Sequence, residues 1–344
     1  MNRRTKLGPI VVASAIVLLA GQVAIAQVDW TWGPLEVPPG DPGTWDSGRH
    51  LMGDVVFDGA VWHMFLLGGT GISPIDSPWK VGHWTWNDVT LEWDLDPANP
   101  VLVPEGGQWD GHSIGSVAVL YSGGIFRMWY SAAATYLAPS YVGYATSSDG
   151  SLWTKDPTNP VAGLGPGAPG EWDNHGTAPH TVLAEGSSLH MWFFAFKGGY
   201  SGSGYSWRIG YASSIDGGAT WTKDPDPVLE SSEPWEGNKL YYPTVVRYGD
   251  RLAMWYTGSS AGTIGIGYAE SLDGLTWTKW PDNPVLAPLP GCDYVDSSEV
   301  ILQADTALGW VTNCDDVYSV KAPMVLFADG FGSGDTSRWS SAVP

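Results

Sequence analysis

Four carboxylates in this chain follow a tryptophan at intervals of 63 or 64 residues: Asp46, Asp110, Asp173 and Glu236. Each opens a polar cluster. Asp46 is followed by Arg49 and His50, and Asp110 by His112. Asp173 is followed by Asn174, His175 and His180, and Glu236 by Lys239, Tyr241 and Tyr242. Asp296 and Glu299 form a fifth cluster without the tryptophan. When one carboxyl is protonated and another ionised, the pair can do acid–base work on a bond held between them. Asp46, Asp110, Asp173, Glu236, His112 and His175 are therefore the catalytic candidates. Arg49, His50, Asn174, His180, Lys239, Tyr241, Tyr242, Asp296 and Glu299 are candidates for orienting a substrate. His50, His112 and His175 hold nearly equivalent places in three successive clusters. Three converging imidazoles could ligate a transition metal, supply a general acid, or simply hydrogen-bond their neighbours. A carboxylate that recurs so strictly after tryptophan also fits a turn or strand cap.

The elements that would carry these clusters repeat. The Trp-Asp or Trp-Glu pairs at Trp45, Trp109, Trp172 and Trp235 are spaced by 64, 63 and 63 residues. After each comes an alternating apolar stretch, then an aromatic strand: Met64-Phe65, Met128-Trp129-Tyr130, Met191-Trp192-Phe193 and Met254-Trp255-Tyr256. A third stretch follows, Val142-Gly143-Tyr144-Ala145 and its counterparts from Ile209 and Ile266, with a weaker copy from Val81. The unit closes on an Asp-Gly turn with Trp-Thr-Lys, as in Asp149 to Lys155, Asp216 to Lys223 and Asp273 to Lys279. Four short strands with Gly, Asp and Pro at the turns make one β-propeller blade. Four units are complete, and a fifth starting near Cys292 has three strands. The segment Trp30-Thr31-Trp32-Gly33-Pro34 resembles Trp277 to Pro281, so the N-terminal strand is expected to complete the last unit. The prediction is an all-β, five-bladed propeller closed by its N-terminal strand, leaving no long exposed edge.

This layout places the start of each first strand, and the loops joining second to third strands, on one face. The long non-repeating loops Leu67–Trp79, Ser131–Ser140 and Lys197–Trp207 lie there, and variable loops on a rigid scaffold are where sites are built. Most of the 21 tryptophans fall at repeat positions and build the strands. Trp79 and Trp207 fall outside the repeat and are the candidates for stacking on a ligand.

Residues 1–26 read as an export signal: Arg3, Arg4 and Lys6, an apolar run from Ile10 to Ala20, and Ala24-Ile25-Ala26. Residues 27–326 would be the propeller and 327–344 a tail, and the mature chain is expected to be secreted or periplasmic. The apolar run is too short for a membrane span. The formal charge is -20, and loss of the signal's three basic residues takes it to -23. Such a field repels nucleic acid and is compatible with neutral sugars and with calcium. In an oxidising compartment Cys292 and Cys314 are expected to form a disulfide, a metal–thiolate pair being the alternative. The chain is expected to be a monomer.

The repeat formula resembles the five-bladed propeller superfamily of glycoside hydrolase families 43, 32, 68, 117 and 130. The resemblance implies a carbohydrate-active protein acting on oligo- or polysaccharide at an axial pocket. The alternatives are a glycan-binding propeller without catalysis, or a metal-dependent lyase or oxidoreductase using the three histidines. Ser214-Ile215-Asp216-Gly217-Gly218-Ala219-Thr220-Trp221 also resembles the Asp-box of sialidases, a turn motif. Families 43 and 32 carry their acids at matching positions of the first strands. Alignment on the methionine of the second strands selects Met52, Ile114 or Gly115, Ala178, Tyr242 and Ser298, none of them acidic. The family triad is not matched at those positions.

Overall fold

A computed structural model describes residues 30–71, 78–198, 204–260, 263–303 and 306–323. The expected signal (1–26) and tail (327–344) lie outside the described residues. Strand β1 (Thr31–Val37) comes first. Four sets of four strands follow. They are β2 (Arg49–Phe57), β3 (Trp62–Gly69), β4 (Lys80–Asn87) and β5 (Glu92–Leu95); then β6 (Ser113–Ser122), β7 (Ile125–Ala133), β8 (Tyr141–Ser147) and β9 (Thr154–Lys155). The third set is β10 (Thr177–Glu185), β11 (Ser188–Lys197), β12 (Ser206–Ser214) and β13 (Thr222–Lys223). The fourth is β14 (Lys239–Tyr248), β15 (Arg251–Ser260), β16 (Thr263–Ser271) and β17 (Thr278–Lys279). The last strands are β18 (Val295–Gln303), β19 (Thr306–Asn313) and β20 (Asp316–Pro323). Within each set the strands pair antiparallel in chain order. The third and fourth sets touch through one parallel pair, Trp207 opposite Lys239. Strand β1 pairs antiparallel with β20, Thr31 opposite Lys321, so the sheet β18–β19–β20 takes its fourth strand from the other end of the chain. The described residues contain no α-helix, and none of their helices is long and apolar enough to cross a membrane.

The tryptophan repeat explains how neighbouring sets dock. Met128, Trp129 and Tyr130 of β7 are all fully buried, as a strand covered on both faces must be. The Trp192 indole donates to Gly274 O at 2.9 Å, so the second strand of the third set rests on the Asp-Gly turn of the fourth. Trp129 meets Gly218 in the same way. Both glycines have φ in the left-handed region, +92° and +77°, and a Cβ would stand 2.4 Å from Trp129 Cζ2 and 2.8 Å from Trp192 Cζ2. Glycine is therefore required twice over there, by backbone and by space. Each turn is fixed by its aspartate: Asp149 accepts from the Ser151 and Leu152 amides, both at 2.9 Å.

The first strands of the five sets line up against one another: β2 on β6, β6 on β10, β10 on β14, β14 on β18, and β18 back on β2. Every one of them carries a bulge, at Met52/Asp54, Ile114/Ser116, Pro179/Thr181, Tyr241/Thr244 and Asp296/Ser298. A bulge leaves polar groups unpaired within its own sheet, and here they bond to the next set. Ser116 donates to Pro179 O, Thr181 to Pro243 O at 2.8 Å, and Thr244 to Ser298 O. The Met52 amide donates to Ser297 Oγ at 3.0 Å, and the Val119 amide to Asp54 Oδ2 at 2.5 Å. The five strands thus form a closed circuit of hydrogen bonds.

Candidate functional site

A cavity of about 390 Å³ opens where the first strands begin. The first strands contribute Arg49 from β2, Ser113 from β6, Lys239, Tyr241 and Tyr242 from β14, and Asp296 from β18. His112 comes from just before β6. The walls are completed by Trp79 ahead of β4, Trp207 of β12, Phe194 and Phe196 of β11, and Tyr136 in the loop after β7. Of the residues singled out in the sequence, eight therefore share one cavity: Arg49, Trp79, His112, Trp207, Lys239, Tyr241, Tyr242 and Asp296. Residues 72–77 and 199–203, within two of the long loops, lie outside the described residues.

The chemistry of the cavity centres on Asp296. Both its oxygens accept from Arg49 Nη2, at 3.3 and 3.2 Å. Burial raises the Asp296 carboxyl above the usual carboxylate range, Arg49 opposing it. The Arg49 guanidinium also lies 4.7 Å from the Tyr294 ring centre. Burial and the Asp296 charge push the hydroxyls of Tyr241 and Tyr242 upward, so both remain protonated donors. Tyr241 meets Trp207 edge to face at 5.2 Å, and Lys239 Nζ sits 5.0 Å from the Trp207 ring centre.

The four repeated carboxylates, Asp46, Asp110, Asp173 and Glu236, do not line this cavity. In three sets each is held by the lysine of its own fourth strand: Asp110 by Lys155 at 2.6 Å, Asp173 by Lys223, and Glu236 by Lys279 at 2.7 Å. Glu236 also accepts from Tyr256 OH at 2.8 Å and from the Ser232 amide at 2.7 Å. The first set has Leu95 at the lysine position, and there Asp46 pairs with His50 Nε2 at 3.0 Å. Burial would raise the Asp46 carboxyl, but hydrogen bonds from His50 and Thr44 outweigh it and hold it below its ordinary value. These partners make Asp110, Asp173 and Glu236 clamps between the entry and the fourth strand of their sets, and tie Asp46 to the first strand of its own.

The remaining candidates are also elsewhere. Asn174 accepts from the Gly198 amide at 3.0 Å. The His175 amide donates to Phe196 O at 2.9 Å, and burial lowers the His175 imidazole. His180 is the bulge residue of β10, its ring tilted at 5.4 Å against that of Tyr242, and burial pushes its imidazole down to about 3. His50, His112 and His175 are not gathered as metal ligands: among the described residues no three His, Cys, Asp or Glu side chains are placed to hold an ion. Cys292 and Cys314 form a disulfide, with Cys292 ahead of β18 and Cys314 in the turn after β19.

Outside the cavity lining, Asp54 and Glu299 form a pair of buried acids, of which the sequence reading found Glu299. Glu299 accepts from Thr244 Oγ1 at 3.3 Å and is raised well above its ordinary value by burial and by the charge of Asp54. Asp54, on β2 just past the bulge, is raised to about 7 by burial. Two buried carboxyls that feel each other cannot both ionise cheaply. Asp54 escaped the alignment because the bulge inserts Gly53, which moves the acid two places beyond Met52.

No family model matches the chain. Two uncharacterised proteins of Mycobacterium tuberculosis are each 27% identical over 167 residues, 46% of this chain and 51% of theirs. The chain thus spans about half the length of the curated relatives it matches. Among solved structures, a glycoside hydrolase superposes with a TM-score of 0.69 at 19% identity, over 87% of this chain and 92% of that one. A thermostable family-43 glycoside hydrolase gives 0.55 at 18% identity, over 79% and 88%. A structure described under the family of mannoside phosphorylases containing glycoside hydrolases that target β-1,2 mannosidic linkages gives 0.63 at 12%, over 85% and 94%. The chain has the fold of the propeller-type glycoside hydrolases.

Proposed function

We propose that this chain is an exported five-bladed β-propeller that binds an oligo- or polysaccharide in the cavity at the start of its first strands and cleaves it as a glycosidase. The observation that carries the reading is the cavity wall. Trp79, Trp207, Phe194 and Phe196 offer apolar faces, and Asp296, His112, Arg49 and Lys239 stand among them as a few convergent polar groups. Glycoside cleavage needs a proton for the leaving oxygen and a base for the incoming water. Asp296, whose two oxygens are held by Arg49, takes the proton from the incoming water. His112 gives the proton to the leaving oxygen. Calcium is compatible with the acidic chain as an additional ion.

The test is turnover of a glycoside library by the purified chain, followed by reducing-end release. Asp296→Asn and His112→Gln should each lower the rate on any accepted substrate by about 100-fold or more. Full activity in Asp296→Asn would sink the proposal. One observation favours a second reading, a glycan-binding propeller without catalysis: Asp296 is the only carboxylate among the described lining residues. Oligosaccharide binding with no turnover selects that reading.

A further inference from the structure

The cavity wall carries an arginine and a lysine, Arg49 and Lys239, in a chain that is strongly acidic. The sequence holds 36 acidic and 16 basic residues. Yet the cavity presents Arg49 and Lys239 against one carboxylate, and that carboxylate is taken up by Arg49. Lys239 also differs from the lysines of the repeat. Lys155, Lys223 and Lys279 each reach a buried carboxylate. Lys239 Nζ lies instead 5.1 Å from the ring centre of Tyr205 and 5.0 Å from that of Trp207, and no carboxylate of the described residues is within ion-pair distance. Two aromatic faces hold an ammonium in position, but they do not fill its three donor sites.

Arg49, the other lining cation, already lies between two carboxylates: its Nη2 bonds Asp296, and its Nε stands 3.6 Å from Asp315 Oδ1. Lys239 is thus the cation of the wall left without a counter-ion among the described residues. A neutral sugar hydroxyl donates as readily as it accepts, so it does not relieve this imbalance. A carboxylate or sulfate only accepts, and it brings the missing charge. We infer that the cavity takes a sugar bearing an oxyanion, a uronate carboxylate or a sugar sulfate, with Lys239 as its counter-ion and Trp207 as the stacking platform beside it. The inference rests on the glycan reading above and narrows its substrate class.

The test is an array of neutral, uronate-containing and sulfated oligosaccharides probed with the full mature chain. Each ligand retained is then titrated by calorimetry beside its carboxyl-reduced or desulfated counterpart. The expected result is retention of acidic glycans, with affinity at least about tenfold weaker once the oxyanion is removed, in keeping with a charge-assisted hydrogen bond. Which counterpart loses affinity distinguishes uronate from sulfate. Lys239→Met should lose the same factor, and Lys239→Arg, which keeps the charge, should restore most of it. Retention of neutral glycans alone, or equal binding by Lys239→Met, overturns the inference and leaves the glycan reading standing. Retention of no glycan overturns both. Inorganic sulfate or phosphate bound as tightly as the acidic glycan overturns the sugar-borne assignment.

Discussion

Replacing Lys279 by methionine should destabilise the fold by about 3 kcal/mol while leaving the cavity's ligand binding intact. Glu236 has no exposed surface, and Lys279 keeps only 15% of its side chain exposed, so the pair is close to fully desolvated. Removing one partner of a buried ion pair costs about 3–5 kcal/mol, because the other charge stays buried. The low end applies here. Glu236 would keep Tyr256 OH at 2.8 Å and the Ser232 and Glu233 amides at 2.7 and 3.0 Å. At about 2 °C per kcal/mol for a chain of this length, the melting temperature should fall by about 6 °C. Circular dichroism melts of Lys279→Met, Glu236→Gln and the double variant would measure this. The double variant should be more stable than Lys279→Met, since its buried charge is gone. A Lys279→Met melt within about 1 °C of the parent would refute the clamp. So would a Glu236→Gln variant that melts normally but binds no ligand, because Glu236 would then belong to the site.

Two further outcomes follow from the buried groups. The Asp54 carboxyl titrates near 7 when folded, against about 3.9 in an unfolded chain. The folded state therefore holds the proton more tightly, and the stability it contributes is complete below about pH 4 and lost as pH rises toward 7. Asp54→Asn should flatten that decline, read as a smaller difference between urea midpoints at pH 5 and pH 8; an unchanged difference would mean that Asp54 does not carry the proton. Replacing Cys292 and Cys314 by serine opens a loop of 22-residue separation, a loss of about 3 kcal/mol from chain entropy. A reduced parent protein that melts with the oxidised one would contradict it.

The repeat made the strands legible because each position in it answers a packing need. Trp129 and Trp192 need a glycine turn to rest on, Asp149 needs the amides that follow it, and all three kinds of residue recur at the same spacing. The clamping role of Asp110, Asp173 and Glu236 was also written there. Lys155, Lys223 and Lys279 recur one for one with those acids, and the one unit lacking the lysine, at Leu95, has a histidine four residues after its acid. The site was less legible, since period-two reasoning fails at a bulge. Each first strand shifts register where it nears its neighbours, so residues aligned through a landmark on the second strand, such as Met64 and Met128, cease to be equivalent past the bulge. Asp54 was lost to that shift, and His180, which reads as a polar contact group, proves to be packed behind Tyr242.

The pairing of β1 with β20 also bears on the order in which the molecule can be made. A chain emerging from its amino end delivers Thr31 to Val37 first, yet their hydrogen-bond partners, Val317 to Lys321, arrive after every other strand. Until then both β1 and the growing edge must be kept from pairing with other chains, a hazard that grows with the wait. The circuit of first strands faces the same delay, because β18 must reach β2 before Ser297 can accept from the Met52 amide. Final assembly is thereby tied to the synthesis of β20. Once made, the same seam holds the first and last described strands inside one sheet, where neither can fray without breaking the other's hydrogen bonds.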